Sequence, residues 1–474
     1  MIAKIVKYNV VVLLLSLIFP VIADAQLDYT VFPRLSIEGR YSDNYYASER
    51  DKKDGFITTV SPGILISVFT RNSMLDLDYS LNSTGYFIED EADRFEYFNQ
   101  RGFGAFRADI LKNFSIFLQD EIVKTEDVIS IDENFARERR RVAFLRNTSG
   151  GELAYHYKEG SEIAAGYAFT ILDYFDGIVD DSKRHDFRGR ITHDFNIRNT
   201  GSASYRHSIT DYRRLNDPGQ TSRDDLYEDE IRGRFTHYFT PRFSSGISYG
   251  YLELHHDEPL GRAPIDYHVH DAEIESAYFI SSSLRADGRI GLFFREVFGT
   301  DTWEEGLVYR AGLTYTYSDF MGTAAYEGGY STSYINPERL EFYEYQRVIG
   351  DVTYNLIRDI LILRGRGSYM VNRYPDSTDR RRDNIWNAGG GMDYRVFNWL
   401  LFSLDYNHTA RNSNIQGLHY VENSYLARIT ISYRYSTMER DIETRERRER
   451  ERRAEMGIER REMERREREE DNAR

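Results

Sequence analysis

Apolar and polar residues alternate with a period of two along much of the chain, the pattern of strands with one greasy and one wet face. Over 75–82, Leu75, Leu77, Tyr79 and Leu81 share one face, and Asp76, Asp78, Ser80 and Asn82 the other. Over 114–122, Phe114, Ile116, Leu118 and Ile122 oppose Ser115, Gln119 and Glu121. Over 307–317, Leu307, Tyr309, Ala311, Leu313, Tyr315 and Tyr317 oppose Arg310, Thr314 and Thr316. The run over 425–435 sets Tyr425, Ala427, Ile429, Ile431, Tyr433 and Tyr435 against Arg428, Thr430, Ser432 and Arg434.

The breaks between these runs fall into two alternating classes. Short ones lie at 70–73, 111–113, 158–161, 197–199, 240–242, 281–283, 318–320, 357–359 and 397–398. Longer, more charged ones lie at 48–55, 89–94, 126–139, 176–183, 213–224, 256–264, 298–302, 334–341, 375–382 and 411–419. Tight turns on one side and long loops on the other are the rhythm of an outer-membrane barrel, with the turns periplasmic. A soluble sandwich has no reason to sort its connections this way. The reading is an all-β fold: a transmembrane antiparallel up-and-down barrel of about 20 strands, an even number that places both termini on one side. Eighteen strands is the alternative, if the weak fourth or sixteenth strand is misread. The first strand is expected to begin at residue 34, eight residues after the signal cleavage site.

Composition fits this reading once the alternation is allowed for. Mean hydropathy is −0.60, which looks soluble, yet aromatics make up 14% of the chain, with 37 Tyr and 28 Phe. A barrel strand shows lipid only alternate residues, so its average stays near neutral, and Tyr suits the headgroup level. Residues 1–25 read as a cleaved secretory signal: Lys4 and Lys7, an apolar core over 10–18, Pro20, and Ala23-Asp24-Ala25. Residues 26–436 would then form the barrel, the mature chain carrying a net charge of −16 against −15 for the whole. Such acidity disfavours nucleic acid as a partner. The expected surroundings are membrane lipid and lipopolysaccharide, with the barrel assembly machinery as a partner. There is no cysteine, so neither a disulfide nor lipid attachment through one.

Residues 437–474 hold 13 Arg against 12 Glu and 2 Asp, so this tail is nearly neutral. Pairs such as Glu443–Arg447 and Glu449–Arg453 support a helix, but Met438, Ile442, Met456, Ile458 and Met463 form no heptad stripe and Gly457 interrupts the run. It reads as a solvated periplasmic helix or disordered tail, with a tether to peptidoglycan or to export components as the functional alternative.

Two segments carry a family resemblance. One is Tyr41-Ser42-Asp43-Asn44, a charged loop, and then Val60-Ser61-Pro62-Gly63. The other is Tyr420-Val421-Glu422-Asn423 followed by Ile429, Ile431, Tyr433 and Tyr435, which is similar to the terminal signal read by the assembly machinery. The first resembles the opening hairpin of outer-membrane β-barrel porins associated with exopolysaccharide gene clusters of Gram-negative bacteria. That resemblance implies a location in the cell outer membrane, a part in polysaccharide export or passive transport, and no catalytic residues or cofactor.

The inward faces carry candidate pore-lining arginines: Arg188 and Arg190, Arg232 and Arg234, Arg285 and Arg289, Arg364 and Arg366. Asp186, Asp194, Glu228, Glu230 and Asp287 share those faces, so cross-strand ion pairs of a wet wall compete with a charged constriction as their role. The loop over 126–139 is a candidate inward-folded constriction. His255, His256, Asp257, Glu258, Asp266, His268, His270 and Asp271 crowd one long loop and its strand ends, which makes His268 and His270 weak candidate metal ligands and the cluster a candidate enzyme site at the rim. A polar surface loop explains the cluster more simply. No serine elbow, phosphate-binding loop or zinc-helix motif is present, and Gly389-Gly390-Gly391 lies within a strand, where it reads as close packing. The functional expectation is a porin-like channel for polar solute, with a closed structural or adhesive barrel as the alternative.

A closed barrel resists detergent, so the unheated protein should migrate differently from the boiled protein in a detergent gel and should fractionate with outer membranes. A band indifferent to heating, together with a soluble periplasmic protein, would overturn the barrel.

Overall fold

The computed structural model describes residues 28–125, 144–175, 181–213, 225–256, 266–299, 303–332, 342–377 and 379–436. The signal, the tail, the 126–139 loop and Asp257 and Glu258 lie outside the described residues.

Twenty strands form one closed antiparallel barrel. They are β1 (Asp28–Ser42), β2 (Gly55–Phe69), β3 (Ser73–Ile88), β4 (Arg94–Leu111), β5 (Phe114–Thr125), β6 (Phe144–Lys158) and β7 (Ser161–Tyr174). Then come β8 (Asp181–Asn196), β9 (Asn199–Arg213), β10 (Leu226–Thr240), β11 (Phe243–His256), β12 (Tyr267–Phe279), β13 (Leu284–Val297) and β14 (Trp303–Tyr317). The circuit ends with β15 (Phe320–Thr332), β16 (Phe342–Ile357), β17 (Leu361–Arg373), β18 (Arg382–Phe397), β19 (Leu400–Ser413) and β20 (Tyr420–Ser432). Each strand pairs with the next, and β1 pairs with both β2 and β20 to close the ring. Strands four and sixteen are full-length, so the count of 18 is set aside. Strands of 12 to 18 residues exceed the roughly 9–11 that cross the bilayer, so their ends project beyond it.

The first strand corrects the expectation in one respect: it begins at Asp28, not at residue 34. Pro33 has no N–H to give, which argues against a paired strand. The barrel tolerates it because the β1–β20 ladder is interrupted there, between Arg34↔Ser432 and Val31↔Tyr435. Tyr433 N donates instead to the Pro33 carbonyl at 3.1 Å, and a two-residue bridge, Tyr435–Ser436, resumes the pairing. Pro62 acts alike in β2, whose ladder to β3 skips from Val60↔Ser83 to Gly63↔Ser80.

The two faces follow the alternation. Ile290, Leu307, Leu313, Ile429 and Ile431 stand exposed on the outside, the surface that lipid covers. Aromatics crowd both ends of that surface, Phe195, Tyr317, Phe397 and Tyr433 at the short-turn end and Tyr41, Phe56, Trp303 and Trp386 toward the long loops. A lipid-facing charge costs ~2–4 kcal/mol for Arg or Lys near the midplane. Ile290→Arg should therefore destabilise the folded barrel by about that much in a urea titration with lipid vesicles, while inward Thr314→Ser should shift it by under ~0.5 kcal/mol. Equal effects would mean the faces are misassigned.

Candidate functional site

The lumen wall is built from inward positions bearing both signs of charge. Arg34 donates to Asp78 at 3.1 and 2.5 Å, bridging β1 and β3 across the side-chain-free Gly63 of β2. Arg428 donates to Glu38 at 2.6 Å across the closing seam. Glu228 is 1% exposed and receives Arg184 at 3.1 Å and also Arg206. Glu327 is gripped by Arg310 and Arg347, and Arg310 also reaches Asp287 at 3.1 Å. Directly opposed residues on adjacent strands lie closer than same-face neighbours along one strand, which is why most of these pairs run between strands.

All eight candidate arginines occupy inward positions. Arg190 bridges Glu152 at 3.1 Å and Glu162 at 3.0 Å. Arg188 stands opposite Arg206 and has no ion pair among the described residues. Arg232 lies 3.4 Å from Asp271, 3.8 Å from Glu230 and 3.9 Å from Glu273, and Arg234 pairs with Glu275. Arg289 approaches Glu273 at 3.8 Å, whereas Arg285 lies over the Phe279 ring at the short-turn end. Arg364 reaches Asp393 and Asp405, each at 3.1 Å, and Arg366 reaches Asn407 at 3.3 Å. The glycine run explains that reach. Gly391 and Gly389 are paired with Arg364 and Arg366, and a Cβ on Gly391 would sit 2.1 Å from the Asp405 carboxylate. The expected same-strand partners mostly serve others. Asp186 takes Arg184 and Ser208, Asp194 takes Thr200, and Asp287 takes Arg310.

Two clefts indent the wall. One, of about 450 Å³, is lined by hydroxyls and amides such as Ser36, Thr59, Ser61, Ser80, Asn82 and Thr84, with Arg34, Arg101 and Lys124. The other, of about 240 Å³, lies among Glu230, Arg232, Asp271, Glu273, Tyr330 and Tyr345 on the opposite arc.

Constriction at the long-loop end comes from segments that sequence reasoning missed. Asn44 and Tyr45, in the loop after β1, turn inward: Asn44 is fully buried, bonding Ser48 and the Val421 carbonyl, and Tyr45 packs with Ile57, Tyr86 and Ile88. Asp376, in the loop after β17, receives Arg295 at 3.0 and 2.6 Å. Arg295 has no exposed surface, contacts Glu304 at 2.9 Å, and lies 4.4 and 4.2 Å from the ring centres of Tyr267 and Phe342. Its place on the inward face of β13 was legible; its loop partner four strands away was not. In the same loop, burial pushes the Tyr374 phenol up, partly offset by Arg381 stacked 4.2 Å above it.

The His cluster divides between the two sides of the wall. His268 and His270 do meet, with ring centres 5.1 Å apart, but on the outward face beside Phe298 and Trp303. His268 pairs with Glu296 at 2.9 Å and His270 with the Tyr249 hydroxyl at 2.7 Å. His255 and His256 both contact Asp266 at 2.8 Å, and Asp271 faces inward. Among the described residues, no three His or carboxylate side chains gather as a metal set.

Comparison with known proteins agrees with the architecture. Residues 343–433 match the family model described as "Putative beta-barrel porin 2". That match lies at the opposite end of the chain from the hairpin that first carried the porin resemblance. No curated protein sequence matches the chain. Among solved structures, the siderophore receptor PirA from Acinetobacter baumannii is similar at 10% identity, with a TM-score of 0.50 over 85% of this chain and 80% of that one. The outer membrane protein opdK from Pseudomonas aeruginosa is 10% identical, with a TM-score of 0.42 over 86% of this chain and 99% of that one. At 10% identity the likeness to PirA speaks for the fold alone. The chain is a porin-like β-barrel of the outer membrane, similar over β16 to β20 to the putative beta-barrel porin 2 family.

Proposed function

We propose that the protein is an outer-membrane channel for a polar, hydroxyl-rich solute and takes part in exopolysaccharide export. The observation that carries this reading is the cleft of about 450 Å³ in the wall formed by β1 to β5 and β20, where hydroxyls and amides stand among Arg34, Glu38, Arg40, Arg101, Lys124 and Arg428. Hydroxyl and amide side chains exchange hydrogen bonds with a glycan's hydroxyls at little net cost, because each lost contact to water is replaced. The mutually paired charges elsewhere leave the wall wet without a single-sign field. A ring of one sign would select ions, whereas paired charges mainly brace the wall. The resemblance of Tyr41–Asn44 and Val60–Gly63 to exopolysaccharide-linked porins supports the same direction.

The second reading is a structural or adhesive barrel with a closed lumen. The inward packing of Tyr45 and of the Arg295 cluster favours it, since both narrow the long-loop end.

Reconstituted in planar bilayers, the protein should give discrete conductance steps with weak preference between small cations and anions. Soluble oligosaccharides should block the current in a concentration-dependent way. A silent bilayer containing correctly folded, heat-modifiable barrel would favour the closed reading. Replacing Ser61, Ser80 and Thr84 together by Val should weaken oligosaccharide block several-fold while leaving ionic conductance nearly unchanged. Undiminished block would remove the cleft from the solute path.

A further inference from the structure

The strands β14 and β15 part company at the long-loop end. Their ladder runs from Tyr317↔Phe320 to Tyr309↔Gly328 and stops. Both strands continue. Residues 303–308 of β14 remain paired to β13 on one edge, and residues 329–332 of β15 remain paired to β16, but not to each other. At β4–β5 and β7–β8 both strands also overrun their shared ladder, but there one partner does so by a single residue, Thr125, Ser161 or Asp181, whereas here β14 overruns by six residues and β15 by four. Backbone groups left without partners at a sheet edge are costly or adhesive, so such an edge calls for a physical reason.

The reason lies in where β15 goes. Alternation places Tyr330 on the same face as outward Tyr326 and pairs it with Glu344, which places Phe342 on that face too. Yet both rings pack inside the barrel. Tyr330 meets Phe293 at 4.9 Å between ring centres and donates its hydroxyl to Asp271 at 2.9 Å. Phe342 joins Tyr267 at 5.7 Å and closes over Arg295. Their neighbours Leu226, Leu252, Leu254, Val269 and Val308 come from the inward faces of β10, β11, β12 and β14. The outer side of one sheet segment thus rests on the inner side of the next, which requires β15 at Tyr330 and β16 at Phe342 to be folded into the lumen. Gly328 and Gly329 sit at the bend. The Tyr309 ring lies 2.6 Å from where a Gly328 Cβ would be, and Val308 meets Gly329 from the inner side of β14.

We infer that residues 329–332 of β15 and 342–345 of β16 form a gate with two register-compatible positions. In the tucked position seen here it roofs the 240 Å³ cleft and holds the Arg295–Asp376 bridge. In the other, the β14–β15 ladder zips onward without a register shift, pairing Val308 with Gly329, Leu307 with Tyr330 and Gly306 with Ser331. Tyr330 and Phe342 then join the outward aromatic belt that their sequence parity suits, and the lumen widens. A segment with two discrete packings is what allows a wall to switch rather than flex. The movement follows from the strand geometry; its effect on passage rests on the channel reading.

Leu307 is exposed on the outer side of β14, whereas Tyr330 lies on its inner side, so cysteines at these positions can join only if the gate swings out. The chain has no cysteine of its own. The test is Leu307→Cys with Tyr330→Cys in the full-length barrel, oxidised in native membranes and read by gel shift. Crosslinking, with conductance that rises on oxidation and falls again on reduction, is the expected result. Absence of a crosslink in a heat-modifiable barrel overturns the gate. So does a crosslink with measurable conductance that oxidation leaves unchanged. A crosslinked barrel silent in both redox states establishes the movement and sinks the channel reading instead. Arg295→Ala is the second variant: loss of the bridge to Asp376 should raise conductance, with no change in the gel shift on heating.

Discussion

The requirement that every backbone N–H and C=O find a partner inside the sheet governs this molecule. A strand crossing hydrocarbon has no water to turn to, so an open edge there is costly and the sheet must close on itself. Here closure rests on the ladder between β1 and β20, reinforced by the Arg428–Glu38 bridge and the 3.1 Å contact between Ser36 and Thr430. Because the ring closes, each strand has one face toward lipid and one toward the lumen, and side chains sort accordingly. The two prolines that offend the rule, Pro33 and Pro62, sit where a ladder is already interrupted. Such short gaps within a ladder are tolerated; a missing strand would not be.

Closure also creates the chemical problem of the interior. Twenty strands enclose too wide a space for side chains to fill from both sides, so the wall must be wet or must fold something inward. Both solutions are visible. Along the middle of the wall, arginines and carboxylates neutralise one another across neighbouring strands. At the long-loop end, Tyr45 and Asn44, the Arg295 cluster, Tyr330 and Phe342 pack into the opening.

Much of this was written in the sequence because period-two alternation and connection length are local properties. The strand number, the outward Ile429, Ile431, Tyr433 and Tyr435, and the inward arginines all follow from counting along the chain. What stayed hidden is what depends on partners distant in sequence. Arg232 could be placed on the lumen face, but not its approach to Asp271 two strands away. His268 and His270 share a face, as alternation said, but alternation does not reveal that the face is the outer one or that Glu296 and Tyr249 occupy their nitrogens. Tyr330 is the sharpest case. Its parity is outward and its position inward, because the packing available inside outweighs the local pattern.

The glycines of β18 have a mechanical corollary. By leaving room at Gly389 and Gly391, they let guanidinium groups on β17 reach β19, so three strands are laced together around the circumference. Arg34 does the same over Gly63 between β1 and β3. Such lacing resists hoop strain in a way that single ladders do not. An arc stiffened in this manner hands deformation on to whichever joint is least bound. Under lateral pressure from the bilayer, the ring would yield first where β14 and β15 already diverge.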